Sequence, residues 1–311
     1  MVTLAPDRPP PPPSTTSPGP RTAGASTGAV PPSRRRRPQA RRVPLGLWFS
    51  GSVAAVLLLL AAFGPLITGD TETSHLDQRL YGFGEHGHLL GTDGQGRDVL
   101  ARVVAGARPS LIAGLVPVLI AAVLGSALGI TAGLAGRVVH TAVMRTLDVL
   151  YAFPAVLLAV AIGASLGSGV SNAVISLSVV LVPPVARVAE TETARLRGMD
   201  FMDSARASGA KRSTIAVRQV LPNLLPTIVV YCTALAGLSI VFAAGLSFLG
   251  LGTAPPHAEW GLMVNDLRPY IFTDPALSLV PAAAILIASV VCNMLGDGLR
   301  DLLDVRREVT A

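Results

Sequence analysis

The most organised polar residues in the sequence suit gripping rather than bond-making. Asp203, Ser204, Ala205, Arg206, Gly209, Ala210, Lys211 and Arg212 fall within residues 200–222, a basic island between long apolar stretches. Residues 200–207 are predicted to form a helix of about 12 Å, at about 1.5 Å per residue. Gly209 ends it, because glycine takes the left-handed conformation of a helix C-terminus without a steric penalty. A second helical stretch then climbs through Ile215, Val217 and Val220 to Leu221 and Pro222. Two short helices about a glycine, at a membrane surface, make a docking element. By residue type alone the stretch also fits an ordinary solvated basic loop.

The other reactive side chains are scattered. His75, His86 and His88 share one loop, but imidazoles two apart without a spaced set of carboxylates make a weak metal site, and solvated loop histidines are expected. Arg145 and Asp148 stand three apart and are expected to pair on one helix face. With Arg187 and Glu190 they are the ionisable groups nearest the apolar runs, and all lie near the ends of those runs. A mid-membrane proton or ion relay is therefore not expected. Cys232 and Cys292 lie within apolar runs and read as small buried residues, not as a disulfide. The sequence contains no Gly-x-x-x-x-Gly-Lys-Ser/Thr phosphate loop and no His-Glu-x-x-His helix. A hydrolase has no nucleophile and base to work with, no cofactor or metal is expected in this chain, and the protein reads as a non-enzyme.

These residues are carried on elements built for lipid. Half the residues are apolar and only 14% are charged, too few for a water-soluble single-core domain. Crossing a bilayer core of about 30 Å takes roughly 20 apolar residues. Six runs qualify, at 45–67, 110–133, 147–167, 173–190, 223–250 and 277–296, and predict an all-α polytopic membrane protein. Phe153-Pro154 is expected to kink or break the third span, and Pro183-Pro184 to do the same to the fourth. Residues 68–109 form a first external segment, in which Val99, Leu100, Val103 and Val104 are spaced for an amphipathic helix lying on the outer surface. Residues 251–276 form a second, with Trp260 and Tyr270 suited to the interface. Residues 110–298 complete the transmembrane domain, with its docking loop at about 198–222, and 299–311 form a charged amphipathic tail.

Residues 1–44 are rich in Pro, Ser, Thr, Ala and Arg and too poor in large apolar side chains to build a core, so a disordered tail is expected. Positive charge orients the chain. Of its 25 Lys and Arg, twenty lie in the tail, 134–146, 187–218 and the C-terminus, and five in the two external segments. That bias puts both termini in the cytoplasm, and it accounts for the basic balance without a nucleic-acid partner.

The segment Asp203-Ser-Ala-Arg-Ala-Ser-Gly209, followed by Leu221-Pro222, resembles the Glu-Ala-Ala…Gly…Leu-Pro loop of ATP-binding-cassette importer permeases. Four further blocks narrow the resemblance to the C-type permeases of the dipeptide/oligopeptide/nickel import group. They are Leu90-Gly-Thr-Asp-Gly-Gln-Gly-Arg-Asp98 with Gly106-Ala-Arg-Pro-Ser-Leu111, then Asp148-Val-Leu-Tyr-Ala-Phe-Pro154, then Leu246-Ser-Phe-Leu-Gly-Leu-Gly252 with Pro255-Pro256 and Trp260-Gly261, and last Leu295-Gly-Asp-Gly-Leu-Arg-Asp301 with Leu303-Asp304. The blocks occur in the family's order and cover about residues 45–307.

The resemblance implies the type I ABC importer permease fold of six transmembrane helices with a cytoplasmic coupling helix, in the plasma membrane of a prokaryote. It implies that Asp203, Ser204, Ala205 and Gly209, flanked by Arg206, Ala210, Lys211 and Arg212, seat in a groove of a cytoplasmic ATPase. Asp203 and Ser204 stand where the family has glutamate and alanine. The implied partners are a B-type permease forming a heterodimer, two ATPase subunits or domains carrying ATP and Mg, and an extracytoplasmic substrate-binding protein. The implied activity is import of di- or oligopeptides, although relatives of this group also carry glutathione, nickel chelates and some sugars. A self-contained secondary transporter or channel for small solutes is the alternative.

Overall fold

The computed structural model describes residues 45–308, so the tail 1–44 and residues 309–311 lie outside the described residues. Ten α-helices make up the described chain: α1 (Leu45–Ile67), α2 (Val99–Leu134), α3 (Arg137–Tyr151), α4 (Ala155–Leu166), α5 (Val170–Arg197), α6 (Asp200–Ala207), α7 (Arg212–Ile215), α8 (Leu221–Phe248), α9 (Trp260–Leu267) and α10 (Pro275–Glu308). Among the described residues no strand forms. Many large apolar side chains face outward, among them Leu58, Leu119, Leu157, Leu225 and Leu286. That distribution suits a hydrocarbon solvent rather than water.

Local chemistry explains where most helices start and stop. Asp98 caps α2, its carboxylate accepting from the Ala101 N–H at 2.8 Å. The helix therefore begins at Val99 and runs unbroken past Pro109 and Pro117. The separate surface helix expected at 99–104 is instead the first turns of α2, with Val99 and Arg102 buried. Phe153-Pro154 behaves as expected: the proline caps α4, and α3 and α4 meet at 87°. Pro183-Pro184 does not break its helix, because both sit inside a continuous α5. A proline pair removes two intrahelical hydrogen bonds, but Leu181, Val182 and Val185 around it are buried. That packing holds the helix through the gap, as neighbouring helices do in membranes. At the C-terminus, the boundary expected between a sixth span and a charged tail at residue 298 falls inside the single helix α10.

The tightest packing joins α2 to α5. A Cβ on Gly125 would lie 2.8 Å from Val185, one on Gly129 2.4 Å from the Ala186 carbonyl oxygen, and one on Gly133 2.6 Å from Thr193. The glycines are four apart, so they line one face of α2 and let the two backbones touch. Because Val185 or Ala186, then Ala189, then Thr193 are met in increasing order, the two helices run parallel. We expect Gly129→Val to cost about 1–3 kcal/mol or more, since the obstructing atom is backbone and cannot turn aside. Membrane-inserted yield and the melting temperature of the solubilised protein should both fall. Gly245→Ala serves as the control, because nothing lies within 4 Å of a Cβ there.

Parallel neighbours constrain topology. The chain leaves α2 at one end and must return to the other before starting α5, so α3 and α4 together make the return crossing. Five helices are long and apolar enough to span alone, and the bent pair brings the number of crossings to six. An even number leaves Leu45 and the end of α10 at one end of the bundle, with α6 and α7. Packing agrees, since a Cβ on Gly298 would lie 2.6 Å from the Leu47 side chain. Residues 68–98 and 249–274 share the opposite, loop-rich end. There Arg79 donates to the Tyr270 hydroxyl at 2.9 Å, and Arg102 to the Pro256 carbonyl at 3.1 Å.

Candidate functional site

The loop expected to dock is a compact corner. Helix α6 closes with both hydrogen bonds of a Schellman motif: Ala210 N–H to the Ala205 carbonyl at 3.2 Å, and Gly209 N–H to the Arg206 carbonyl at 3.0 Å. Gly209 takes φ +77°, the left-handed conformation that motif needs. Met202 is fully buried and Ile215 nearly so, while Ala205 and Ala210 pack half-buried against the same core cluster. The corner is thus pinned by its apolar residues. Its outward surface consists of Asp203, Ser204, Arg206, Gly209, Lys211 and Arg212. Arg206 and Asp203 pair at 2.8 Å one turn apart, and Ser204 turns its hydroxyl back to the Asp200 carbonyl at 3.0 Å. All eight residues singled out in the sequence come together here, with Ala205 and Ala210 facing inward and the other six outward.

The corner is rigidly continued into a span. Helix α7 passes through one π-helical turn, Ala216–Val220, directly into α8, so Arg212–Phe248 is a continuous helix of 37 residues. Pro222 has no N–H to give the Arg218 carbonyl, and the Leu221 N–H reaches back to Ala216 instead.

Several charged residues have partners that spacing did not foretell. Asp148 pairs with Arg187 on α5, not with Arg145 on its own helix, and Arg187 also lies 5.7 Å over the Tyr151 ring. Glu190 meets His140 at 3.1 Å, which ties α3 to α5 a second time. In the loops, His88 binds Asp98 at 2.7 Å and His86 stacks on Tyr81. Among the described residues no group of three or more His, Cys, Asp or Glu is arranged to hold a metal ion. Cys232 and Cys292 are free thiols.

The loop-rich end holds a charge cluster missed altogether in the sequence. Asp93 accepts from Arg97 Nε and pairs with its Nη2, both at 2.7 Å, and faces Arg102 Nε at the ion-pair distance of 3.5 Å. Asp266 faces the same two guanidiniums at 3.5 and 3.8 Å. The arginine side chains are only 2% and 1% exposed. Burial pushes the Asp266 carboxyl above its ordinary range, against the pull of Arg102 and Arg97. Beside this cluster Glu259 caps α9 through the Gly261 and Leu262 N–H groups, both at 3.0 Å, and accepts the Ser110 hydroxyl at 3.1 Å. The Asp-Gly-Gln-Gly-Arg-Asp run from Asp93 to Asp98 is therefore a knot that fastens residues 68–98 to 249–274. The density of Gly between charged residues was its only sequence signal.

Residues 125–309 match the family described as binding-protein-dependent transport system inner membrane components. The chain belongs to that family. The matched residues run from the glycine face of α2 through the corner between α6 and α7 to the last helix. Among curated relatives, a glutathione transport system permease protein from Pectobacterium atrosepticum is 41% identical over 80% of this chain and 84% of its own length. A dipeptide transport system permease protein from Alkalihalophilus pseudofirmus is 40% identical over 79% of this chain and 81% of its own. An inward-facing MetNI methionine ABC transporter structure shares the fold with a TM-score of 0.54, over 64% of this chain and 95% of that one, at 19% identity. The chain is thus an all-α, multi-pass permease subunit of the ATP-binding-cassette importers, a component of a transport system.

Proposed function

We propose that this permease supplies half of the path of an ATP-driven importer of di- or oligopeptides and takes its energy from a separate cytoplasmic ATPase. The observation that carries the cargo is the likeness, over four-fifths of the chain, to a glutathione permease, with a dipeptide permease close behind. The shared chemistry of those two cargoes is a short peptide. The likeness supports equally a second, B-type permease subunit, a pair of ATPase subunits carrying ATP and Mg, and a binding protein outside the membrane.

Charge orients the assembly. The end of the bundle that carries α6, α7 and both termini of the described chain also holds most of the arginine, and positive charge marks the cytoplasmic face. The docking corner therefore meets the ATPase in the cytoplasm through Asp203, Ser204, Arg206, Gly209, Lys211 and Arg212. Closure of the paired ATPases draws the corners together, and the helices switch between two arrangements. The loop-rich end faces outward, toward the binding protein.

The test is reconstitution of the chain with its partner subunits in proteoliposomes. Uptake of a labelled dipeptide should require ATP inside and the binding protein outside, and the chain alone should hydrolyse no ATP. Uptake by the chain alone, driven by an ion gradient, would instead establish a secondary transporter.

A further inference from the structure

A cavity of about 500 Å³ opens at the loop-rich end, among the ends of α1 and α2, the start of α5 and the loop before α9. Its wall holds two donors without a protein partner. The exposed Arg108 side chain makes no hydrogen bond or ion pair among the described residues. The Thr253 hydroxyl, on a residue only 8% exposed, also has no partner. A buried hydroxyl without a partner forfeits a hydrogen bond's worth of free energy, so it marks a place where a ligand atom fits. The opposite chemistry stands on the same wall. Asp70 is held in place by the Thr73 hydroxyl and by the N–H groups of Glu72 and Thr73, at 2.9 and 3.1 Å. Those bonds, the Thr73 hydroxyl first, keep its carboxyl below the ordinary range and charged. Glu72 is already engaged by His257 at 2.7 Å.

A guanidinium and a hydroxyl form a carboxylate's partner set, and a charged carboxylate without a cationic partner forms an ammonium's. The volume falls within the range of small-molecule sites. We propose that this cavity is an external subsite for a short peptide, with Arg108 and the Thr253 hydroxyl binding its C-terminal carboxylate and Asp70 its ammonium. The assignment rests on the peptide-importer reading above. It makes the permease itself, and not only its binding protein, a reader of peptide ends.

The test uses the complete importer without its binding protein, carrying Val170→Cys in the cavity wall and alanine at Cys232 and Cys292. Maleimide labelling of the new cysteine is followed by the mass of this chain. Millimolar alanyl-leucine should slow labelling several-fold, and alanyl-leucinamide, which lacks the carboxylate, should not. Arg108→Gln should raise the concentration needed by about ten-fold or more, the loss expected for one charge-assisted hydrogen bond, and Arg108→Lys should restore part of the effect. Equal protection by the amide, unchanged protection in Arg108→Gln, or no protection at all would overturn the site. Protection by the binding protein alone, with no peptide present, would also overturn it and make the cavity a docking seat. Dipeptide uptake by the full importer separates the two readings. Uptake without protection removes this subsite and leaves peptide import standing, whereas protection without uptake does the reverse.

Discussion

Gly209→Val should leave the importer assembled and hydrolysing ATP while transport is largely lost. Nothing lies within 4 Å of a Cβ at this position, so the valine meets no clash. The cost is all in the backbone: φ +77° is the left-handed region, which an L-residue reaches at roughly 1–2 kcal/mol and a β-branched one less readily still. The corner escapes by giving up the two Schellman hydrogen bonds, and the angle between α6 and the long helix beginning at Arg212 changes. Met202 and Ile215 still anchor the two arms, so the chain stays folded. Gly209→Asn is the decisive control, because asparagine accepts the left-handed conformation and should transport nearly as the wild type does. ATP hydrolysis and uptake measured on the same proteoliposomes give the coupling ratio. Normal transport by the valine variant would sink the docking role of this corner.

Asp93→Ala should be the most destabilising single substitution at the loop-rich end. It leaves Arg97 and Arg102, both almost fully buried, facing only the partly exposed Asp266. Breaking a buried pair from one side costs about 3–5 kcal/mol, most of it the uncompensated charge. The Arg97 and Gln95 N–H groups also lose their acceptor, at 3.0 and 2.8 Å. Adding Arg97→Met should recover most of the loss, since a buried pair replaced on both sides by apolar groups is often neutral. The melting temperatures of the wild type, the two singles and the double in one detergent make the cycle. If the double melts as low as the single, the knot is held by its hydrogen-bonded turn and not by charge.

The features legible in the sequence were those set by neighbours along the chain. Asp200 to Ala207 read as a short helix, Gly209 as its stop and Phe153-Pro154 as a break, because caps, glycine and proline act within a turn or two. The span count was legible for the same reason, since length and hydropathy are local sums. The residues expected to dock are contiguous, so the structure keeps them together at one corner. What failed was decided by residues far apart. A break at Pro183-Pro184, one of the two outcomes that prolines predict, does not occur, because nothing local reports the packing of Leu181 and Val185. Asp148 was given to Arg145, three residues away, when Arg187 on another helix holds it. The glycines at 125, 129 and 133 fall in an apolar run, and only α5 packed against them shows that they form one contact face. Arg97 and Arg102 were counted as external charge, and only the fold buries them.

The bend at Phe153-Pro154 has a consequence for how the protein is made. Helix α4 has 12 residues, about 18 Å at about 1.5 Å per residue, well short of a bilayer core of about 30 Å. Helix α3 carries Arg137, His140, Arg145 and Asp148 and is no better suited to enter lipid alone. Neither half can be left in the bilayer by the insertion machinery on its own hydropathy. Residues 137–166 must wait at the membrane surface until α5 emerges, bringing Arg187 for Asp148 and Glu190 for His140. The order of synthesis and the order of insertion therefore differ at this one place, and a nascent chain stalled before Val170 would have two helices across the membrane rather than three.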